Sequence, residues 1–185
     1  VVLITDGDNN AGKIAPLDSA QMARKLKIPV YTILVGKGGK VIGIDIDIRQ
    51  HNLIEIEKHV MASRIHMIQG SSIAAEIVEE VRRLATGYKK VMVCLDSNHT
   101  HEHVLAELEA YAPLTSLGSY CVVFDTVIED LPASMYPDRS WGPGDNPKTA
   151  VWAYLKTHPE FVIDKGIDHK LLISVAPDGF LKRIA

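Results

Sequence analysis

Cysteine is scarce in this chain: two thiols, Cys94 and Cys121, in 185 residues. Neither has the CxxC spacing of a redox or zinc site, and each sits inside an apolar run. Two buried thiols on neighbouring strands are therefore expected, rather than a disulfide. No charge of one sign prevails, since 20 Lys and Arg face 23 Asp and Glu for a net charge of −3. The basic charges are scattered, so the stripe of a nucleic-acid binder is missing. No apolar run approaches the roughly 20 residues needed to cross a bilayer. No basic leader precedes an apolar stretch, so no signal peptide is read. These absences point to a cytoplasmic protein, or to a recombinant chain with no natural location, whose partner is a small molecule. The abrupt opening on Val1-Val2-Leu3-Ile4 suggests a fragment or a trimmed chain.

What is present suits one domain spanning 1–185, with 46% hydrophobic and 23% charged residues and enough apolar material for a sizeable core. Strand-like runs fall at Val1–Thr5, Val30–Val35, Val41–Ile48, Ile65–Gln69, Val91–Leu95 and Tyr120–Phe124. They are almost continuously apolar and rich in Val and Ile, as parallel strands covered on both faces are. Between most of them lie amphipathic stretches. Leu17–Lys27 follows Pro16, Gln50–His59 carries Leu53, Ile54 and Ile56, Ile73–Leu84 has apolar residues at helical spacing, and His99–Tyr111 carries Val104, Leu105 and Leu108. This alternation predicts an α/β fold: a doubly wound, mostly parallel Rossmann-like sheet with helices on both faces.

The last third reads differently. Leu131–Asn146 is rich in Pro, Gly and Asp, and a loop of that length inside a compact domain is usually a lid or a binding element. A helix over Lys148–Thr157 follows. Two short strands, Phe161–Asp164 and Leu171–Ala176, then predict a C-terminal antiparallel hairpin turning through Lys165–Lys170. One joint is too short for its neighbours, because only Gly36-Lys37-Gly38-Gly39-Lys40 separates Val30–Val35 from Val41–Ile48. A parallel crossover needs a dozen residues or more. Either the two strands form an antiparallel hairpin, or one lies outside the main sheet, or residues are missing there.

Several motifs stand in order after that joint: Gly39-Lys40-Val41-Ile42-Gly43-Ile44-Asp45-Ile46-Asp47-Ile48-Arg49, Ile65-His66-Met67-Ile68-Gln69-Gly70-Ser71-Ser72, Leu95-Asp96-Ser97-Asn98-His99-Thr100, Val122-Val123-Phe124-Asp125-Thr126 and Ala176-Pro177-Asp178-Gly179-Phe180-Leu181. From about Gly38 onward the chain thus resembles the cephalosporin hydroxylase and rhamnosyl O-methyltransferase family, Rossmann-type proteins that use S-adenosylmethionine. The first 36 residues, through Thr5-Asp6-Gly7-Asp8-Asn9-Asn10 and Val30–Gly36, look instead like a strand–helix–strand piece of a von Willebrand factor A domain. That family's Asp-x-Ser-x-Ser metal loop is missing, which argues against an adhesion module. The two resemblances together suggest an engineered chimera, 1–36 from one family and 37–185 from the other. An unfinished sheet edge at the join would favour a homodimer.

Candidate site residues follow from the strand ends, where ligands of such folds bind. An acidic residue ending the second strand accepts hydrogen bonds from ribose hydroxyls. Asp45 matches that family position, and Asp47, two residues on, would share its face. Gly70 lets backbone approach a ligand, while Ser71 and Ser72 reach an adenine or cap the helix beginning near Ile73. Asp96 and Asp125 end the two central strands. Such carboxylates suit Mg²⁺, and the resemblance implies a metal that orients the acceptor's hydroxyls. Antibiotic-pathway members carry an acidic residue immediately before the second Asp, where this chain has Phe124. Asp96 capping the next helix is the structural alternative.

His99, His101 and His103 follow at i, i+2 and i+4, so that only His99 and His103 would share a helix face as a metal pair. His99 is the candidate general base for the acceptor proton. The family's glycine-rich cofactor loop is not found, and Asp6–Gly12 stands in its place, with Gly7 and Gly12 at other spacing. A scaffold without native catalysis is therefore the first functional expectation. The alternative is a metal-assisted, S-adenosylmethionine-dependent O-methyltransferase acting on a sugar or small hydroxylated molecule.

Overall fold

The computed structural model describes residues 2–5 and 39–185. The predicted helix at Leu17–Lys27, the strand at Val30–Val35, the Asp6–Gly12 loop and the threading of the short joint lie outside the described residues.

Among the described residues seven strands form one sheet in the order β3-β2-β1-β4-β5-β7-β6. They are β1 (Val2–Thr5), β2 (Val41–Asp45), β3 (Ile65–Gln69), β4 (Val93–Asp96), β5 (Tyr120–Val123), β6 (Phe161–Ile163) and β7 (Phe180–Arg183). Strands β1 to β5 pair in parallel, and β7 runs antiparallel to both β5 and β6. Consecutive side chains of a strand point to opposite faces. Val93, Cys94 and Leu95 of β4 are all buried, as are Cys121, Val122 and Val123 of β5, so both faces of the sheet centre are covered. That is why these strands read as unbroken apolar runs.

Helix α1 (Gln50–Lys58) follows β2, α2 (Ala75–Ala85) follows β3, α3 (His101–Tyr111) follows β4, and α4 (Pro147–Leu155) follows the long loop. Ile77 and Val81 of α2, Val104, Leu108 and Tyr111 of α3, and Val151 and Tyr154 of α4 join the strand side chains in one core. Helix α1 is peripheral and fully buries no side chain.

The register settles the thiols. Cys121 lies opposite Val93, and Cys94 lies opposite Val122. Paired residues share a face and neighbours along a strand do not, so the two thiols point to opposite sides of the sheet. Both are free and buried, as expected from sequence.

One expectation is corrected. The segment Lys165–Lys170 is not a hairpin turn but most of a short helix, α5 (Lys165–Leu171), whose N-cap Asp164 accepts from the Gly166 N–H at 3.0 Å. Leu171–Ala176 forms no strand: Leu172 has a φ of 63° and, with Ile173, is largely exposed. The partner of β6 is β7, which begins only at Phe180. Gly179 at the entry to β7 donates to the Ala176 carbonyl and accepts from the Val123 N–H at 2.8 Å. A Cβ there would stand 2.1 Å from the Val123 carbonyl oxygen, so that crossing admits only glycine. Strand β1 pairs with β2 on one side and β4 on the other, so it is central, and among the described residues the edge strands are β3 and β6.

Candidate functional site at the carboxyl ends of the strands

Strand order reverses between β1 and β4, and a parallel sheet opens a crevice at such a point. Asp45 and Asp96 end the two strands that flank β1, at the same end of the sheet. Asp125 comes two residues after β5. Phe124 still donates to the Leu95 carbonyl at 2.9 Å. Asp125 then takes φ 54° and ψ 22°, the left-handed region, and the chain leaves the sheet into a 3₁₀ turn, Thr126–Asp130. A non-glycine residue there carries strain, which clusters at functional sites.

This bend brings Asp125 to the loop between β4 and α3. Asp96, His99 and Asp125 each offer a ligand atom, and these atoms lie within 4.8 Å of one another. His99 Nε2 is 2.7 Å from Asp125 Oδ2. A carboxylate oxygen only accepts, so Nε2 carries the proton and Nδ1 is left as the basic nitrogen. The two carboxylates are hard oxygen donors of the kind Mg²⁺ takes, with water completing its shell, and the half-buried imidazole beside them is a borderline donor. The donor set therefore fits such a cation.

The Pro- and Gly-rich loop reaches this cluster, as its length suggested. The Trp141 ring lies 4.9 Å from the His99 ring and 5.1 Å from Tyr136, and the Arg139 guanidinium sits 5.4 Å from the indole. Burial, and then the Asp125 charge, raises the Tyr136 phenol above its ordinary value. Both ends of the loop are pinned. Glu129 accepts from Gly144 N at 2.7 Å and from Asn146 Nδ2 at 2.5 Å. Asn146 caps α4 in a reciprocal box with Thr149. Asp145 accepts from His101 N at 2.6 Å, so it is Asp145 that satisfies the α3 N-terminus. Thr100 at the N-cap supplies no side-chain bond.

The three histidines part company. His99 precedes α3 and joins Asp96 and Asp125. His101 Nδ1 sits 2.8 Å from Thr149 Oγ1 on α4. His103 turns to Ser72, with Nε2 3.1 Å from its hydroxyl. The spacing expected for a His99–His103 metal pair assumed a helix that in fact starts two residues later.

Asp45 is buried, and its Oδ1 accepts from the Asp47 N–H at 2.9 Å. Strand β2 ends there, so Asp47 lies in the bend beyond it, exposed, and strand alternation no longer places it on the Asp45 face. Gly70 donates to the Asp45 carbonyl at 2.9 Å with a φ of 153°. A Cβ on Gly70 would press Ile77 at 3.0 Å. Neither Ser71 nor Ser72 caps α2, whose N-cap is Ala74 without a side-chain bond. Ser72 is buried and donates instead to Glu107 of α3 at 2.5 Å. Glu107 is a residue that sequence reasoning passed over. It lies in the buried stripe Val104, Glu107, Leu108, Tyr111, so a carboxylate at a core position of the helical period was its readable signal.

A family model described as Rhamnosyl O-methyltransferase/CmcI matches residues 13–184. The chain belongs to that family. A rhamnosyl O-methyltransferase of Mycobacterium tuberculosis (strain ATCC 25618 / H37Rv) is 37% identical over 118 residues, covering 63% of this chain and 46% of that protein. The one from Mycobacterium leprae (strain TN) is 30% identical over 151 residues, covering 80% and 61%. The chain thus spans about half the length of the curated relatives it matches.

Among solved structures, the fold is similar to MycE methyltransferase from the mycinamycin biosynthetic pathway in complex with Mg and SAH. The TM-score is 0.51 at 17% identity, over 99% of this chain and 44% of that one. A second MycE structure, with Mg, SAH and mycinamycin VI, gives a TM-score of 0.50 at 18% identity, over 99% and 44%. The Rhamnosyl O-methyltransferase/CmcI match begins well inside the segment read as von Willebrand A-like. Neither that fragment nor a chimera is supported by the comparisons. The strand that carried part of the likeness is β1, a central strand of this sheet. Among the described residues no helix is long and apolar enough to cross a membrane.

Proposed function

We propose that this chain carries out S-adenosylmethionine-dependent O-methylation of a sugar or small hydroxylated molecule, assisted by Mg²⁺. The observation that carries this reading is the convergence of Asp96, His99 and Asp125 at the strand ends in a Rhamnosyl O-methyltransferase/CmcI family member. The relatives' names and the Mg and SAH of the MycE structures support it. The scaffold without catalysis loses its basis once the chimera does.

When bound, S-adenosylmethionine supplies an electrophilic methyl group for in-line displacement, and a divalent cation supplies charge stabilisation at the acceptor oxygen. The chain's own residues do the rest. Asp45, buried at the end of β2, orients the ribose hydroxyls, and Gly70, Ser71 and Ser72 border the adenine. Asp96 and Asp125 would hold the cation. His99 takes the acceptor's proton on Nδ1, while Asp125 fixes the ring through Nε2–H and offsets the imidazolium that results. Trp141 shields this proton transfer from water. In such a reaction positioning is the main demand.

The test is methyl transfer from labelled S-adenosylmethionine to a panel of free and glycosidic sugars, with Mg²⁺ and with EDTA. Labelled product that disappears with EDTA supports the proposal. Absence of labelled product from every hydroxylated acceptor, with cofactor and Mg²⁺ at millimolar levels, overturns it.

A further inference from the structure

Glu107 is a fully buried carboxylate on α3, and none of the roles above uses it. Its Oε1 accepts from Ser72 at 2.5 Å and from Ser97 at 2.6 Å. Those serines stand on different loops. Ser72 follows β3 beside Gly70, whereas Ser97 follows Asp96 at the end of β4. His103, one turn before Glu107, closes the group, with Nε2 3.4 Å from Glu107 Oε1 and 3.1 Å from Ser72 Oγ. Tyr111, one turn after it, donates its hydroxyl to the Ser72 carbonyl. Burial, then the Glu107 charge, raises the Tyr111 phenol well above its ordinary value, which keeps it a donor. The second carboxylate oxygen, Oε2, is buried with no hydrogen-bond partner among the described residues. A helix core position would take a leucine at far lower desolvation cost. What offsets that cost here is the pair of hydroxyls held by its one engaged oxygen.

We propose that Glu107 is a positioning residue that fixes the loop after β3 relative to the loop after β4 by accepting from Ser72 and Ser97 at a single oxygen. Resting on the methyltransferase reading, the tie sets the spacing between the cofactor's adenine end and the carboxylate Asp96. Two hydroxyls on one charged acceptor are stronger than neutral pairs, and neither loop can shift without stretching the bond to the other.

The tie is testable without any ligand. Hydrogen exchange is followed at residues 70–74 and 96–100 in the wild type, Ser97→Ala and Ser72→Ala. If Glu107 joins the loops, Ser97→Ala speeds exchange about tenfold in 70–74 as well as in its own loop, and Ser72→Ala does the reverse. Glu107→Gln, which keeps an acceptor oxygen at the same reach, retains most of the protection. Glu107→Leu removes it from both loops. Change confined to the mutated loop overturns the proposal. Calorimetry with S-adenosylhomocysteine gives the second reading: Ser97→Ala weakens binding about tenfold, although Ser97 lies on the metal-side loop. Undiminished affinity overturns the positioning role. A wild-type chain that binds no S-adenosylhomocysteine overturns the methyltransferase reading instead, and the exchange data still decide whether the loops are tied.

Discussion

Asp125 owes its place in the site to one unusual backbone angle. Its left-handed φ of 54° turns the carboxylate back over the end of β5, within reach of His99 and Asp96. Removing the imidazole should leave the fold and cofactor affinity intact while slowing transfer by about 100-fold or more. Comparing His99→Ala with wild type in single-turnover transfer and in S-adenosylhomocysteine titration checks both halves of that statement. Gly179 makes the converse case, a residue whose importance lies in having no side chain. With a Cβ 2.1 Å from the Val123 carbonyl, Gly179→Ala should destabilise by about 2 kcal/mol or more, read as a lower urea midpoint. The thiols supply a pH dependence. Burial, reinforced by the Asp96 charge, pushes Cys94 from an ordinary 9.0 up to about 11. A folded-state value above the unfolded one favours the protonated thiol. Its stabilising contribution is therefore fully present below pH 9 and is lost as pH climbs through 11. Urea midpoints measured from pH 8 to pH 11 should fall over that window, less steeply in Cys94→Ala, and iodoacetamide should label neither thiol at pH 8 until the chain unfolds.

Among the elements, those with a clear period were legible from the residues alone. Strands β2 to β5 and helices α2 to α4 fall within a few residues of their expected bounds, because burial on both faces or on one stripe leaves a repeating mark. The C-terminal strand was not. Leu171–Ala176 is apolar enough to suggest a strand, yet it is spent in a helix end and an exposed turn, because Asp164 caps a helix directly after β6. The pairing strand, Phe180–Arg183, has two apolar residues followed by two basic ones and is set by its antiparallel neighbours, a tertiary choice that local pattern does not carry. The long loop was legible as a functional element, but not its anchors. Asn146 caps α4 and also holds Glu129, so Asn146→Ala should cost about 1 kcal/mol in capping. It should also release the loop, and a change in Trp141 fluorescence together with a lower melting temperature would record both effects.

For the molecule as a whole, the sheet's order matters more than any single motif. Asp45, Asp96 and Asp125 were readable as strand-end carboxylates, because parallel strands in a doubly wound sheet all end on one side. Their convergence with His99 was not readable, since it depends on the bend at Asp125 and on α3 starting at His101. Glu107 was hidden for a related reason, as its partners come from two other loops. The two-family origin failed at this scale too. Local likeness in the first 36 residues was weighed without the sheet, and in the sheet β1 is the central strand between β2 and β4. The account stands most directly on cofactor binding at the end of β2. Isothermal titration of the chain with S-adenosylhomocysteine, beside Asp45→Asn, is its sharpest measurement. The account predicts saturable one-to-one binding that weakens at least about tenfold in Asp45→Asn, the loss of a charged ribose acceptor. Binding unchanged by Asp45→Asn, or no binding to the wild type at millimolar ligand, would contradict it.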